Sequence, residues 1–255
     1  MAVERKIDQI ISACAPNEQS SRLDALADEL ITGQVTSQCV SFALRIMGSD
    51  IPQQLSRQSM NYFVNVMKNL PSEVLVDVGT KCIEEMRTRL GFYDEADAII
   101  RQLLFDYYVS VEEHREAAQV LSGINLDSSG NTFTPEQKVD VLIKIAECFL
   151  MIKETSEAEI FTNKSSVYMN EIDPNNVEIQ LRYRATVAQV FDGNRKFIEA
   201  ALMYYELSQF QNSNIVPEDL LQLLAKAVTC AILGTVFAFD CVVLLNLVSQ
   251  CWMLT

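Results

Sequence analysis

Residues 94–124 read DEADAIIRQLLFDYYVSVEEHREAAQVLSGI, and the same plan returns at 134–166 as TPEQKVDVLIKIAECFLMIKETSEAEIFTNKSS and at 173–208 as DPNNVEIQLRYRATVAQVFDGNRKFIEAALMYYELS. Leu103, Ile145 and Val187 are spaced by 42 residues at each step, and so are Tyr107, Phe149 and Phe191. Later in each block Glu116, Glu157 and Glu199 fall 41 and then 42 apart, each followed by an alanine, Ala117, Ala158 and Ala200. A period of about 40 residues made of two amphipathic helices is the mark of an array in which no single hairpin can bury its apolar face alone. The expected fold is therefore all-α: a right-handed α-solenoid of TPR-like helical hairpins. Leu103, Ile145 and Val187 are expected to face adjacent layers, and the alanines to let neighbouring helices approach closely.

Prolines mark where the units begin, because a proline at the first helical position sacrifices only an N–H that would lack a partner anyway. Thr134 before Pro135, with Gln137 three residues on, predicts a capping box. Asp173 is the expected N-cap before Pro174, and Pro217 opens a further helix with Glu218 and Asp219 in its first turn. One face of the second block carries Val139, Leu142, Ile143, Ala146, Phe149 and Leu150; in the third block Ile179, Tyr183, Val187 and Val190 do the same. Residues 192–195 read as the tight turn inside the third hairpin, and 123–134 as the widest loop.

Upstream, the first 16 residues resemble an amphipathic helix and are too acidic and interrupted for a signal peptide. Ser20 to Ile31 has Leu23, Leu26, Ala27 and Leu30 on one face and stops at Gly33. Ser37 to Met47 has Val40, Ala43, Leu44 and Met47 and stops at Gly48, both stops fitting glycine C-caps. Gln53 to Asn69 carries Leu55, Met60, Phe63, Val64 and Met67 before Pro71. Ser72 is then expected to cap a helix from Glu73 to Leu90, closed by Gly91. The repeats are expected to begin near residue 20, with domains at 1–92 (N-terminal helical repeats), 93–233 (TPR-like repeats leading into an incomplete PCI region) and 234–255 (a divergent apolar tail).

Composition narrows the function. The net charge is −14. That disfavours nucleic acid and anionic membrane surfaces, which need Lys and Arg to replace counterions. Seven scattered cysteines, none in a Cys-x-x-Cys arrangement, suit reduced core thiols in the cytosol or nucleus. Residues 227–254 carry one formal charge, Asp240, and are long enough to span a bilayer. Against insertion stand Asp240 and Asn246 near the middle, the acid costing roughly 2.5 to 3.5 kcal/mol at a helix centre. A buried last helix or an alternative carboxyl end is the preferred reading.

Catalytic chemistry has little to work with. The one histidine, His114, would have to serve any Ser-His-Asp or Cys-His set by itself. No cysteine spacing suits a tetrahedral zinc site, and no GxGxxG or Gly-Lys-Ser/Thr loop is present to cradle phosphate. The acidic pairs Glu84/Glu85, Asp94/Glu95 and Glu112/Glu113 read as solvated helix faces. The Asn163–Ser165 sequon falls inside a predicted helix and reads as chance. No catalytic, cofactor or metal residue is assigned. Of the aromatic pairs Tyr107/Tyr108 and Tyr204/Tyr205, an exposed member would be a candidate protein-contact anchor.

Several of these segments resemble a known family. REAAQVLSGINLD (115–127), LIKIAECFL (142–150), SEAEIFTNKSS (156–166) and above all RKFIEAALMYYELS (195–208) are similar to the fourth-subunit family of the COP nine signalosome, a group of PCI-domain scaffolds. More distantly they resemble its proteasome-lid paralogue. Weaker similarity through SRQ (56–58), NLPSE (69–73) and IRQLL (100–104) extends to about residue 20. The resemblance implies a non-catalytic scaffold in the complex that removes the Nedd modifier from cullins, found in cytoplasm and nucleus. Its helical repeats would form an arm for contact with other signalosome subunits and for sensing cullin-RING ligases, the metal centre residing in another subunit. Family members continue past the segment matching LAKAVTCAIL (224–233) into a winged helix, whereas here Gly234 begins the apolar tail. The alternative expectations are a tail-anchored helical-repeat adaptor and a shortened form that does not assemble.

Overall fold

A computed structural model describes residues 2–89, 91–128, 133–173, 175–209 and 216–238. Every regular element among them is helical, and twelve α-helices are formed. The first seven are α1 (Ala2–Ala13), α2 (Pro16–Gly33), α3 (Thr36–Ile46), α4 (Gln53–Val66), α5 (Ser72–Met86), α6 (Asp94–Ser110) and α7 (His114–Ser122). They are followed by α8 (Pro135–Met151), α9 (Thr155–Met169), α10 (Val177–Gly193), α11 (Phe197–Ser208) and α12 (Pro217–Ala238). The fold is the all-α helical-repeat class that the period predicted. The chain divides into two compact units, Met1–Phe133 and Thr134–Thr255.

In the first unit each helix packs on its successor and also on the next but one: α1 on α3, α2 on α4, α3 on α5, α4 on α6. That pattern is what stacked hairpins produce, since each layer covers the apolar face its predecessor leaves open. The core runs from Val3 and Ile7 on α1 to Ile100 and Leu104 on α6, with Phe42, Met47, Met60, Phe63 and Met67 fully buried between. Phe42 and Phe63 meet at 5.1 Å between ring centroids. In the second unit α8 pairs with α9, α10 with α11, and α10 also packs on α8, while α12 closes on α11.

The hairpin turns repeat atom for atom. Glu112, Lys153 and Arg195 adopt φ of 62°, 62° and 61°. The next residue's N–H reaches back six positions in every case, Glu113 to the Tyr108 carbonyl at 2.9 Å, Glu154 to Phe149 at 2.9 Å and Lys196 to Phe191 at 2.8 Å. This is a Schellman closure, built here on charged residues in the left-handed region instead of glycine. The third turn therefore lies at 194–196, two residues beyond the expected 192–195, and Gly193 is still helical. Gly193 is needed for space: a Cβ there would lie 2.2 Å from Thr155 Cγ2, at the start of α9 in the preceding hairpin.

At helix starts the capping box is present, Gln137 N–H donating to Thr134 Oγ1 at 3.3 Å and Thr134 N–H to Gln137 Oε1 at 3.0 Å. Pro217 opens α12 over Glu218 and Asp219. Asp173 does not cap α10. Its carboxylate accepts from the Asn175 N–H at 2.9 Å in a local turn, and the helix begins at Val177 after Asn176. Pro174 lies outside the described residues. Ser72 likewise is the first helical residue of α5, with Pro71 ahead of it, and α5 ends at Met86 with a 3₁₀ turn at Arg87–Arg89 instead of running to Leu90.

Gly91, at φ 83°, takes the left-handed position expected at that end. Gln34 rather than Gly33 takes it after α2, and Gly48 takes no left-handed conformation after α3. The first helix and the early start of α2 place helical structure ahead of residue 20.

The alanine column is the best-placed part of the reading. Ala117, Ala158 and Ala200 are each at 0 % exposure, and the glutamates before them are exposed. The Leu103 column is less uniform: Ile145 is buried, whereas Leu103 and Val187 are half-buried, with Leu104 and Ala188 taking the deeper positions. On α3, Leu44 is exposed at 43 %, and Cys39, Phe42 and Ile46 face the core in its stead.

Candidate protein-contact surface and its polar posts

Polar side chains tie successive layers together at defined points. Arg182 on α10 grips Glu147 on α8 with both arms of its fork, Nε to Oε1 at 2.9 Å and Nη2 to Oε2 at 2.6 Å, while Nη1 donates to Asp140 Oδ1 at 2.6 Å. Lys144 holds the other Asp140 oxygen at 2.8 Å. The hydrogen bond to Glu147, followed by the neighbouring acids, raises the affinity of Arg182 for its proton. One turn along, Glu159 on α9 accepts from Lys196 Nζ at 2.6 Å and from Asn194 Nδ2 at 2.7 Å, clasping the next hairpin's turn.

In the first unit Arg45 bridges Asp8 at 2.6 Å and Asp50 at 3.1 Å. Ser56 joins the Ile46 carbonyl to the buried Tyr93 hydroxyl. Tyr62 donates to Asp28 Oδ2 at 2.9 Å, a bond that raises the phenol pKa. Arg101 is 5 % exposed; its Nε donates to Asp97 Oδ2 at 2.6 Å and its Nη1 to the Val120 carbonyl at 2.9 Å, closing the end of α7. Neither Arg101 nor Arg182 stood out in the sequence. The signal was present in the spacing: Asp97 lies four residues before Arg101, and Asp140 lies one repeat, 42 residues, before Arg182.

The residues singled out from sequence are dispersed. His114 is the first residue of α7 and is half-buried. Glu84, Glu95, Glu112 and Glu113 are exposed, and Glu85 and Asp94 half-buried. Among the described residues no group of three or more His, Cys, Asp or Glu side chains is placed to hold a metal ion. The sequon is embedded in α9, with Ser165 at 0 % exposure and its hydroxyl bonded to the Thr162 carbonyl.

Neither tyrosine pair projects into solvent: Tyr107 and Tyr108 are half-buried edge to face at 5.4 Å, Tyr204 is buried, and Tyr205 is half-buried against the core. Burial raises the Tyr204 phenol well above its ordinary range. The exposed apolar surface is aliphatic instead, Ile160 and Val167 one above the other on α9 and Leu221 and Ile232 on α12. No helix among the described residues is long and apolar enough to cross a membrane, and the end of the apolar tail, 239–255, lies outside them.

Four thiols, Cys39, Cys82, Cys148 and Cys230, are buried, and Cys14 is half-buried; none of the five is in a disulfide. Burial pushes Cys82 to about 12, Cys148 to about 11 and Cys230 to about 12. Such thiols stay protonated and serve as small apolar side chains.

Stacked hairpins with buried alanine contacts, polar posts between layers and aliphatic side chains left outside define a helical-repeat protein of the kind that works through its surfaces. The sequence pattern of PSMD12/CSN4, N-terminal, matches residues 46–216. The chain belongs to that family, in agreement with the resemblance carried by its repeat segments. It is similar to COP9 signalosome complex subunit 4 of Arabidopsis thaliana, at 31 % identity over 237 residues, covering 89 % of this chain and 59 % of the relative. The Emericella nidulans protein of the same name is 27 % identical over 230 residues, covering 89 % and 55 %. That of Dictyostelium discoideum is 28 % identical over 217 residues, covering 84 % and 53 %. The chain thus spans somewhat over half the length of these relatives.

Proposed function

We propose that the chain is a non-catalytic scaffold of the COP9 signalosome, contributing helical-repeat surfaces through which the complex meets its protein partners. The observation that carries this reading is the family match across 46–216, the region that holds the repeated hairpins. Other signalosome subunits are the first partners, and cullin-RING ligases, from which the complex removes the Nedd modifier, are the second. The repeat arm senses the ligase by shape and surface while bond chemistry belongs to another subunit. The polar posts support this role, because they hold successive layers in one register and so keep an extended face presentable. Cytoplasm and nucleus are the compartments in which such a scaffold operates.

Affinity purification of the tagged chain from cells tests the reading. Recovery of signalosome subunits or of a cullin-RING ligase is the expected result; recovery of neither contradicts it. Running a version with the full carboxyl extension of its relatives in parallel separates what the repeats bind from what the remainder adds.

A further inference from the structure

We infer that the cavity beside the α5–α6 turn in the first unit is a carboxylate-binding subsite, shaped to take an acidic side chain from an extended peptide of a protein partner. The cavity measures about 360 Å³ and is walled by Arg87 and Arg89 of the 3₁₀ turn, by Asp97 and Arg101 of α6, and by Gly123 and Asn125 beyond α7. Its deepest group is Arg101. With Nε committed to Asp97 and Nη1 to the Val120 carbonyl, Nη2 has no acceptor among the described residues. A guanidinium fixed by two bonds and buried with donors unused calls for an oxygen ligand, because burying a donor without an acceptor is costly. Gly123 leaves room for this arrangement: a Cβ there would lie 2.0 Å from Arg101 Nη1.

The other two arginines are set differently. Arg89 is anchored by its Nη1 to the Met47 carbonyl. Arg87, at the rim, is exposed and makes no ion pair among the described residues. Charge selects the ligand. Three guanidiniums are opposed by the carboxylates of Asp94 and Asp97. One positive charge is left over, which a singly charged carboxylate balances, whereas a dianionic phosphate would be pressed against both aspartates. The planar fork of arginine also matches a carboxylate with two parallel hydrogen bonds. On a chain whose net charge is −14, such a site is a local exception that acts at short range. The inference rests on the reading of the chain as a protein-contact scaffold, though not on membership of any particular complex.

The test is a titration of the purified full chain, followed through the arginine Nε–H signals in NMR, with three probes: blocked tetraglutamate, blocked tetraglutamine and inorganic phosphate. The expected result is saturable binding of tetraglutamate with shifts at Arg101, no binding of tetraglutamine, and weaker binding of phosphate. Arg87→Ala should weaken tetraglutamate by about tenfold or more with the thermal melt unchanged. Absence of tetraglutamate binding, equal binding by Arg87→Ala, or a preference for phosphate each overturns the assignment. Failure of the affinity purification described above would remove the proposed complex while leaving this titration intact, so the two failures are distinguishable.

Discussion

Glu112, Lys153 and Arg195 spend their side chains on solvent and their backbones on a left-handed turn that costs an L-residue roughly 1–2 kcal/mol. Lys153→Gly removes that penalty and adds chain entropy to the unfolded state, so a net gain of about 0.5 kcal/mol is expected. A urea midpoint that falls instead of rising would contradict this. These turns were hidden in the sequence for a physical reason: left-handed residues are recognised by glycine or asparagine, and here the carriers are charged. Gly193 drew the third turn two residues early, when its task is to let Thr155 approach.

The buried thiols make a second prediction at this scale. Folded pKa values near 11 to 12 lie above the ordinary value of 9.0, so burial favours the native state fully below pH 9. That contribution is lost as the pH rises from there through the folded values. Stability should therefore decline between about pH 9 and pH 12. At pH 8, pulse alkylation mapped by mass spectrometry should label Cys14 well ahead of Cys39, Cys82, Cys148 and Cys230. Rapid native labelling of Cys82 would show that its burial is wrong.

Among elements, the post between α8 and α10 is the clearest case of a contact that periodicity fixes. Asp140 and Arg182 occupy related places one repeat apart, and Glu147 stands two turns further along the same face of α8. Their side chains are between 35 % and 39 % exposed, so solvent screens the pair. Glu147→Gln is expected to cost about 0.5–1 kcal/mol in low salt and less in high salt. A double-mutant cycle with Arg182→Gln measures the coupling, and a coupling of zero would reduce the post to a surface coincidence. Helix identity and order were legible because 3.6-residue spacing recurs over long stretches, as in Val139, Leu142, Ile143 and Ala146. Which residue lies deepest was less legible. An apolar stripe is upward of 100° wide, so in helices as rich in leucine and valine as α6 and α10 its centre can rest on Leu104 or Ala188 instead of Leu103 or Val187.

At the scale of the molecule, each unit is built from contacts between helices adjacent or next but one along the chain. Hairpin after hairpin sets an alanine at closest approach, with a glutamate beside it turned to water, and this could be read beforehand because both members of the pair recur together. The cavity around Arg101 could not, since it depends on where three separate segments, the turn after α5, the start of α6 and the end of α7, happen to converge.

The most direct test of the repeat account is a paired series of unfolding measurements: Ala117→Leu, Ala158→Leu and Ala200→Leu against Glu116→Leu, Glu157→Leu and Glu199→Leu. The buried alanines leave no space for added methylenes, so each of the first three should lose roughly 1–3 kcal/mol, while each of the second three should stay within about 0.5 kcal/mol of the parent. Equal tolerance at alanine and glutamate positions would mean that the three hairpins share no common packing, and the account would fail.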